Sequence, residues 1–121
     1  MAVVRYLVDD VERAIAFYTQ YLGFTLVEQM GPAFAHIATH DLHLWLSGPQ
    51  TSAARPMPDG RQPHAGGWNR IVIEVADIAT TVATMRAAGI VFRNDMISGP
   101  GGTQILVDDP AGNPIELFQG R

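Results

Sequence analysis

Three of the four histidines lie close together, at His36, His40 and His43, and the fourth, His64, follows later. Spacings of four and three would put imidazoles on one face of a helix as metal donors. Gly31 and Pro32 precede the run, however, and it reads as strand, turn, strand. His40, beside Asp41, is then a solvated turn residue. His36 and His43 can both face one side of a sheet, where they are either metal donors or hydrogen-bond partners. His64 is either simply exposed or near a bound ligand. Other chemistry is excluded by composition. There is no cysteine, so disulfides, thiolate metal sites and cysteine nucleophiles are ruled out. All 8 Lys+Arg residues are arginine, which removes a Schiff-base lysine. No G-x-S-x-G, G-x-G-x-x-G or phosphate loop occurs. Gly99-Pro100-Gly101-Gly102 opens no helix and reads as a hairpin turn.

The elements that must position these groups are legible from periodicity. Residues 3–8 read as a strand. Asp9 or Asp10 caps a helix that runs to about Leu22, its buried stripe formed by Val11, Ala14, Ile15, Tyr18 and Leu22. Gly23 ends it. Strands follow over 24–29, 33–38 and 42–47. In the last, Leu42, Leu44 and Leu46 share one face and His43 and Trp45 the other. Residues 48–67 are rich in Pro and Gly and read as a long loop, either a binding segment or a plain linker. A strand over 70–75 leads to Asp77, which caps a helix to about Ala88, ended by Gly89. Strands are expected over 91–94, 104–107 and 115–119, with turns at 98–102 and 109–113.

The order is βαβββ twice. The two helix starts repeat at the level of residues: Val8, Asp10, Val11 and Ile15 match Val75, Asp77, Ile78 and Val82. A repeat of this length is no solenoid unit. It predicts two copies of one module about a pseudo-twofold axis, with a cleft between them for a small molecule. Strand alternation groups Val3 with Arg5 and Leu7, and Arg70 with Val72 and Glu74. If those faces line the cleft, Arg5, Arg70, Glu74, Gln104 and Glu116 point inward. They would either neutralise one another as two Arg–Glu pairs or form a polar pocket with a carboxylate as general base. Phe34, Trp45 and Trp68 are either aromatic walls of that pocket or core.

The 121 residues fit one domain, 1–121, with a first module at about 1–48, a linker at about 48–67 and a second module at about 68–121. Hydrophobic residues make up 47% and charged residues 17%, enough for a core and unlike a disordered chain. A net charge of −4 without a basic cluster argues against nucleic acid as a partner. No apolar run can span a bilayer and no secretory signal is recognisable, so no membrane partner and a cytoplasmic location are expected.

The chain resembles the vicinal oxygen chelate superfamily, which groups glyoxalases, bleomycin resistance proteins and extradiol dioxygenases. The resemblance rests on V-x-D-[VI] at both helix starts, on Phe17-Tyr18 with Leu22-Gly23-Phe24, and on Asp109-Pro110-Ala111-Gly112-Asn113-Pro114-Ile115-Glu116-Leu117. It implies an α+β fold of two tandem βαβββ modules with curled sheets around a shared cavity, often as a homodimer. Metal-binding members place a His or Gln five residues before the first V-x-D, a His at the second such position and a Glu in the last strand. Here those positions hold Val3, Arg70 and Glu116. The usual metal triad is therefore broken, and an Arg70–Glu116 ion pair is expected instead.

The resemblance implies first a small-molecule-binding protein without a cofactor, taking an organic ligand between the modules against Arg5, His36, His43, Trp45, Trp68, Arg70, Glu74, Gln104 and Glu116. The alternative is a lyase, isomerase or dioxygenase whose divalent metal is held by Glu116 with His43 and His36. A third reading is a metal-free acid–base enzyme in which Glu116 or Glu74 acts beside an arginine, with Arg70 and Glu116 as the catalytic pair. Whether the chain is an enzyme is left open by the residues.

Overall fold

The computed structural model describes all residues, Met1–Arg121. The chain runs β1 (Val3–Leu7), α1 (Val11–Tyr21), β2 (Thr25–Met30), β3 (Phe34–Thr39), β4 (Leu42–Ser47), a 3-10 turn (Ser52–Ala54), β5 (Ile71–Glu74), α2 (Ile78–Ala87), β6 (Ile97–Ser98), β7 (Gly102–Asp108) and β8 (Pro114–Gly120). It forms an α+β fold of two βαβββ modules with two separate four-stranded sheets. Two compact units result: Met1–Gly66 with Pro110–Asn113, and Gly67–Asp109 with Pro114–Arg121. No helix is long and apolar enough to cross a membrane.

In the first unit the strand order is β1-β4-β3-β2, with β1 parallel to β4 and the other pairs antiparallel. The Asp10 carboxylate accepts from the Arg13 amide at 3.1 Å and starts α1. The helix ends where the Leu22 amide donates to the Tyr18 carbonyl, and Gly23 then takes φ 73°, a conformation open to glycine at little cost. The helix buries Val11, Ala14, Phe17 and Tyr18. Phe17 takes the place expected of Ile15, which is only half-buried, because its ring packs edge-on against Tyr18 at 5.3 Å. Beneath α1 lie Ala35, Ile37, Leu44 and Leu46, all without exposure. Each of the larger side chains contributes about 1.5–3 kcal/mol by leaving water.

The segment read as a linker is built into this unit. The Gly48 amide donates to the Ala33 carbonyl at 2.8 Å, and the Met57 amide to the Arg61 carbonyl at 2.8 Å. Asn113 secures its far end, accepting from the Gly66 amide at 3.0 Å and donating to the Leu7 carbonyl at 2.8 Å.

In the second unit the order is β5-β8-β7-β6, with β5 parallel to β8. Asp77 caps α2 through the Thr80 amide at 3.1 Å and the Thr80 hydroxyl at 2.8 Å. Those two bonds hold its carboxyl below the usual aspartate value. Gln119 Oε1 accepts from the Ile78 amide at 2.8 Å, which places α2 on the face of β8 that also carries Ile115 and Leu117.

The strand expected over 91–94 is reduced to one bridge, Phe92 with Val107, and the pairing strand is Ile97–Ser98, its Ser98 read from sequence as the start of a turn. The physical reason is local. The Arg93 amide donates to the Leu106 carbonyl, but the Leu106 amide donates to the side chain of Asn94 instead of to main chain, which interrupts the ladder. Gly102 lies at the β7–β8 edge with φ 153°, and a Cβ there would come within 2.1 Å of the Gln119 carbonyl oxygen.

Candidate functional site

Each sheet carries its helix on one face, and the polar candidates lie on the other. In the first unit the register builds that second face in rows: Val3 beside His43 and Ala38, Arg5 beside Trp45, His36 and Glu28, and Leu7 beside Ser47, Phe34 and Met30. Arg5 lies in the middle of these rows. Its Nη1 donates to Ser47 Oγ at 3.0 Å, and its guanidinium lies 5.0 Å from the centre of the Trp45 ring. Trp45 in turn packs edge-on against Phe34 at 5.9 Å. His36 Nε2 and His43 Nδ1 are 2.8 Å apart. One nitrogen supplies the proton and the other the lone pair, so both are spent on each other. His40 occupies the β3–β4 turn at φ 50°. His64 is exposed, its Nδ1 2.8 Å from the Ala65 carbonyl oxygen, beside a concavity of about 370 Å³ near Leu7, Asp9 and Gln62.

In the second unit Val72 pairs with Glu116, which pairs on its other side with Leu106, and Glu74 pairs with Phe118, which pairs with Gln104. Arg70 immediately precedes β5. Its Nη2 and Nε donate to Glu116 Oε1 at 2.9 and 3.2 Å, and its Nη1 donates to the Trp68 carbonyl at 3.3 Å. Glu116 is buried, so its charge needs this partner. Of the two Arg–Glu pairs considered from sequence, this one forms. Arg5 is engaged by Ser47 and Trp45, and Glu74 ends β5 exposed. Gln104 is half-buried on the same face as Glu116. Trp68 is not core; it is 68% exposed.

Two residues of this region escaped the sequence reading. Arg93 donates from Nε to Asp108 Oδ1 and from Nη1 to the Gly67 carbonyl, each at 2.6 Å, with its guanidinium 4.7 Å from the Trp68 ring centre. Asp108 could have been found, because it shares alternation with Gln104 and Leu106 on β7. Arg93 could not, since Gly67 and Trp68 lie far from it in the chain.

The internal repeat tests the fit of a divalent ion. Val3 and Arg70 occupy equivalent places before or at the start of the first strand of each module. The register pairs Arg5 with Trp45 and its equivalent Val72 with Glu116, so Trp45 holds in the first module the place of Glu116 in the second. Of the four equivalent positions, Val3, Trp45 and Arg70 offer no lone pair to a metal, and Glu116 is engaged by a guanidinium. No three His, Asp or Glu side chains come together as donors. The residues do not fit the ion that these positions would otherwise hold.

The model of one family, described as "Glyoxalase/Bleomycin resistance protein/Dioxygenase superfamily", matches residues 1–117. A bleomycin resistance protein of Geobacillus stearothermophilus is 28% identical over 120 residues, covering 93% of this chain and 90% of that one. A bleomycin resistance protein of Staphylococcus aureus is equally similar. Among solved structures, a lactoylglutathione lyase from Agrobacterium tumefaciens superposes with a TM-score of 0.73 at 23% identity, over 98% of this chain and 93% of that one. The antibiotic-binding protein TnmS3 from Streptomyces sp. CB03234 does so at 0.70 and 24% identity, over 100% and 97%. These two structures share the fold.

Proposed function

We propose that this chain, which belongs to the glyoxalase/bleomycin resistance protein/dioxygenase superfamily, sequesters a small organic ligand and does not process it on a metal. The observation that carries the reading is the Arg70–Glu116 pair: a fixed guanidinium at 2.9 Å from a buried carboxylate, at the positions where a metal-binding relative would place donors. Such a pair presents both a cation and an anion to a polar ligand at low cost in reorganisation. Arg5, His36, His43 and Trp45 supply a second half-aromatic, half-polar surface on the first sheet. The bleomycin resistance proteins among the relatives support a bulky, polar, antibiotic-like ligand. We also propose self-association as a homodimer. Leu26, Val27 and Met30 support it, since they expose apolar surface along β2, an edge strand.

The test is calorimetric titration with bleomycin in the presence of a chelator. Saturable binding at micromolar concentration or below is expected, unchanged by adding divalent ions. Arg70→Ala should weaken it by about tenfold, the value of one charge-assisted hydrogen bond. A catalysed reaction that needs a divalent ion and is abolished by Glu116→Gln would overturn the proposal. So would the absence of any bleomycin binding with or without metal. Light scattering across a concentration series checks the dimer.

A further inference from the structure

The Arg70–Glu116 pair hangs on a segment with little main-chain support. Gly66 and Gly67 take φ of 115° and 90°, and Trp68-Asn69-Arg70 lies in no strand or helix. Glycines in that region permit many alternative paths, so the chain direction into β5 is weakly determined locally. Yet the Trp68 carbonyl must be in place to receive Arg70 Nη1, because that bond and the two to Glu116 together orient the guanidinium.

Asn113 holds its start at the Gly66 amide, and beyond that Arg93 restrains it. Arg93 touches it twice, through the Gly67 carbonyl at 2.6 Å and across one face of the Trp68 indole at 4.7 Å. Arg93 is itself anchored at both ends. Its amide donates to the Leu106 carbonyl at 3.0 Å and its Nε to Asp108 Oδ1 at 2.6 Å, both on β7. Its side chain is 17% exposed and that of Asp108 25%. A planar guanidinium suits this position because it can donate along its edge to two oxygens while stacking its face on a ring; an ammonium cannot do all three. The indole remains 68% exposed.

We propose that Arg93 is the positioning residue of the recognition pair. It clamps Gly67 and Trp68 to β7 and thereby presets the Arg70 guanidinium on Glu116 before ligand arrives. This inference rests on the reading of Arg70–Glu116 as the recognition pair. In consequence Arg93 governs affinity without touching the ligand, through the order of Arg70 in the free protein.

The test uses the full chain and two readouts. The first needs no ligand: the side-chain Nε–H resonance of Arg70 in a proton–nitrogen correlation spectrum. In the native protein it should be shifted away from free arginine and protected from exchange. In Arg93→Ala it should move to the free-arginine position, while the amide pattern of α2 and β8 stays in place. Arg93→Lys should give the same loss although it keeps the charge, and Asp108→Asn a partial one. The second readout is bleomycin titration, in which Arg93→Lys should lose about tenfold in affinity. If Arg93→Ala proves unfolded, Arg93→Lys carries the test alone. An Arg70 resonance that is unchanged in folded Arg93→Lys overturns the positioning role. Loss of the Arg70 signal together with no bleomycin binding by the native chain would leave Arg93 as the clamp and overturn the ligand reading.

Discussion

At the scale of residues, the decisive chemistry is an arginine where a metal ligand would serve. Arg70 neutralises Glu116, so removing it strands a buried carboxylate. The Arg70 side chain is 31% exposed, which admits water and softens the loss. Arg70→Ala should cost about 1–2 kcal/mol in chemical denaturation, below the range for a fully buried pair. Arg70→Ala with Glu116→Gln should recover most of that, because the stranded charge is gone; additive losses would show that the pair does not interact. The pair was legible in sequence because two family positions were occupied by residues of opposite charge. The His36–His43 contact was half legible: alternation put both on one face, but the 2.8 Å bond that occupies one nitrogen of each ring depends on β3–β4 register.

At the scale of elements, capping and one glycine make separable predictions. Asp10→Ala removes the bond to the Arg13 amide and should cost about 1 kcal/mol, seen as a lower Tm. Asp77 behaves differently with pH. Its carboxyl is held below the unfolded value by the Thr80 amide and hydroxyl, so its contribution is present above the unfolded pKa and fades as the pH falls through the folded one. The native Tm should therefore drop below about pH 4 more than that of Asp77→Asn, whose amide oxygen still caps without titrating. Equal acid profiles would remove Asp77 from the account. Gly102→Ala would drive a methyl into the Gln119 carbonyl and should abolish or severely destabilise the β7–β8 pairing. Helices, caps and most strands followed from period and punctuation. Residues 91–98 did not, because Asn94 substitutes its side chain for a ladder partner and displaces the regular pairing to Ile97–Ser98.

At the scale of the molecule, the chain forms two compact units, and the main break between them falls at Gly66–Gly67, the end of the long loop. The 48–66 segment folds onto the first unit, and the Pro110–Asn113 turn joins it there. Asn113 is the latch, bonded to Leu7 and Gly66. Asn113→Ala leaves a carbonyl and an amide without that partner and should cost about 1–3 kcal/mol. Amide exchange at Gly66 should quicken more than at β3. An unchanged rate at Gly66 would show that the loop is held by other contacts.

What the sequence by itself determined is everything written in local pattern: the duplicated helix starts, the alternating faces, the missing lone pairs at Val3 and Arg70, and the family these imply. Period and residue type are local properties, and they survive without knowing what the chain packs against. What only the tertiary structure decided is which polar groups meet. Arg5 turns to Ser47 and Trp45, Glu74 is left exposed, the two histidines bond each other, and Arg93 reaches back to Gly67 and Trp68. Those choices depend on strand register and on residues distant in the chain. A partner 26 positions away, as Gly67 is from Arg93, leaves no periodic trace.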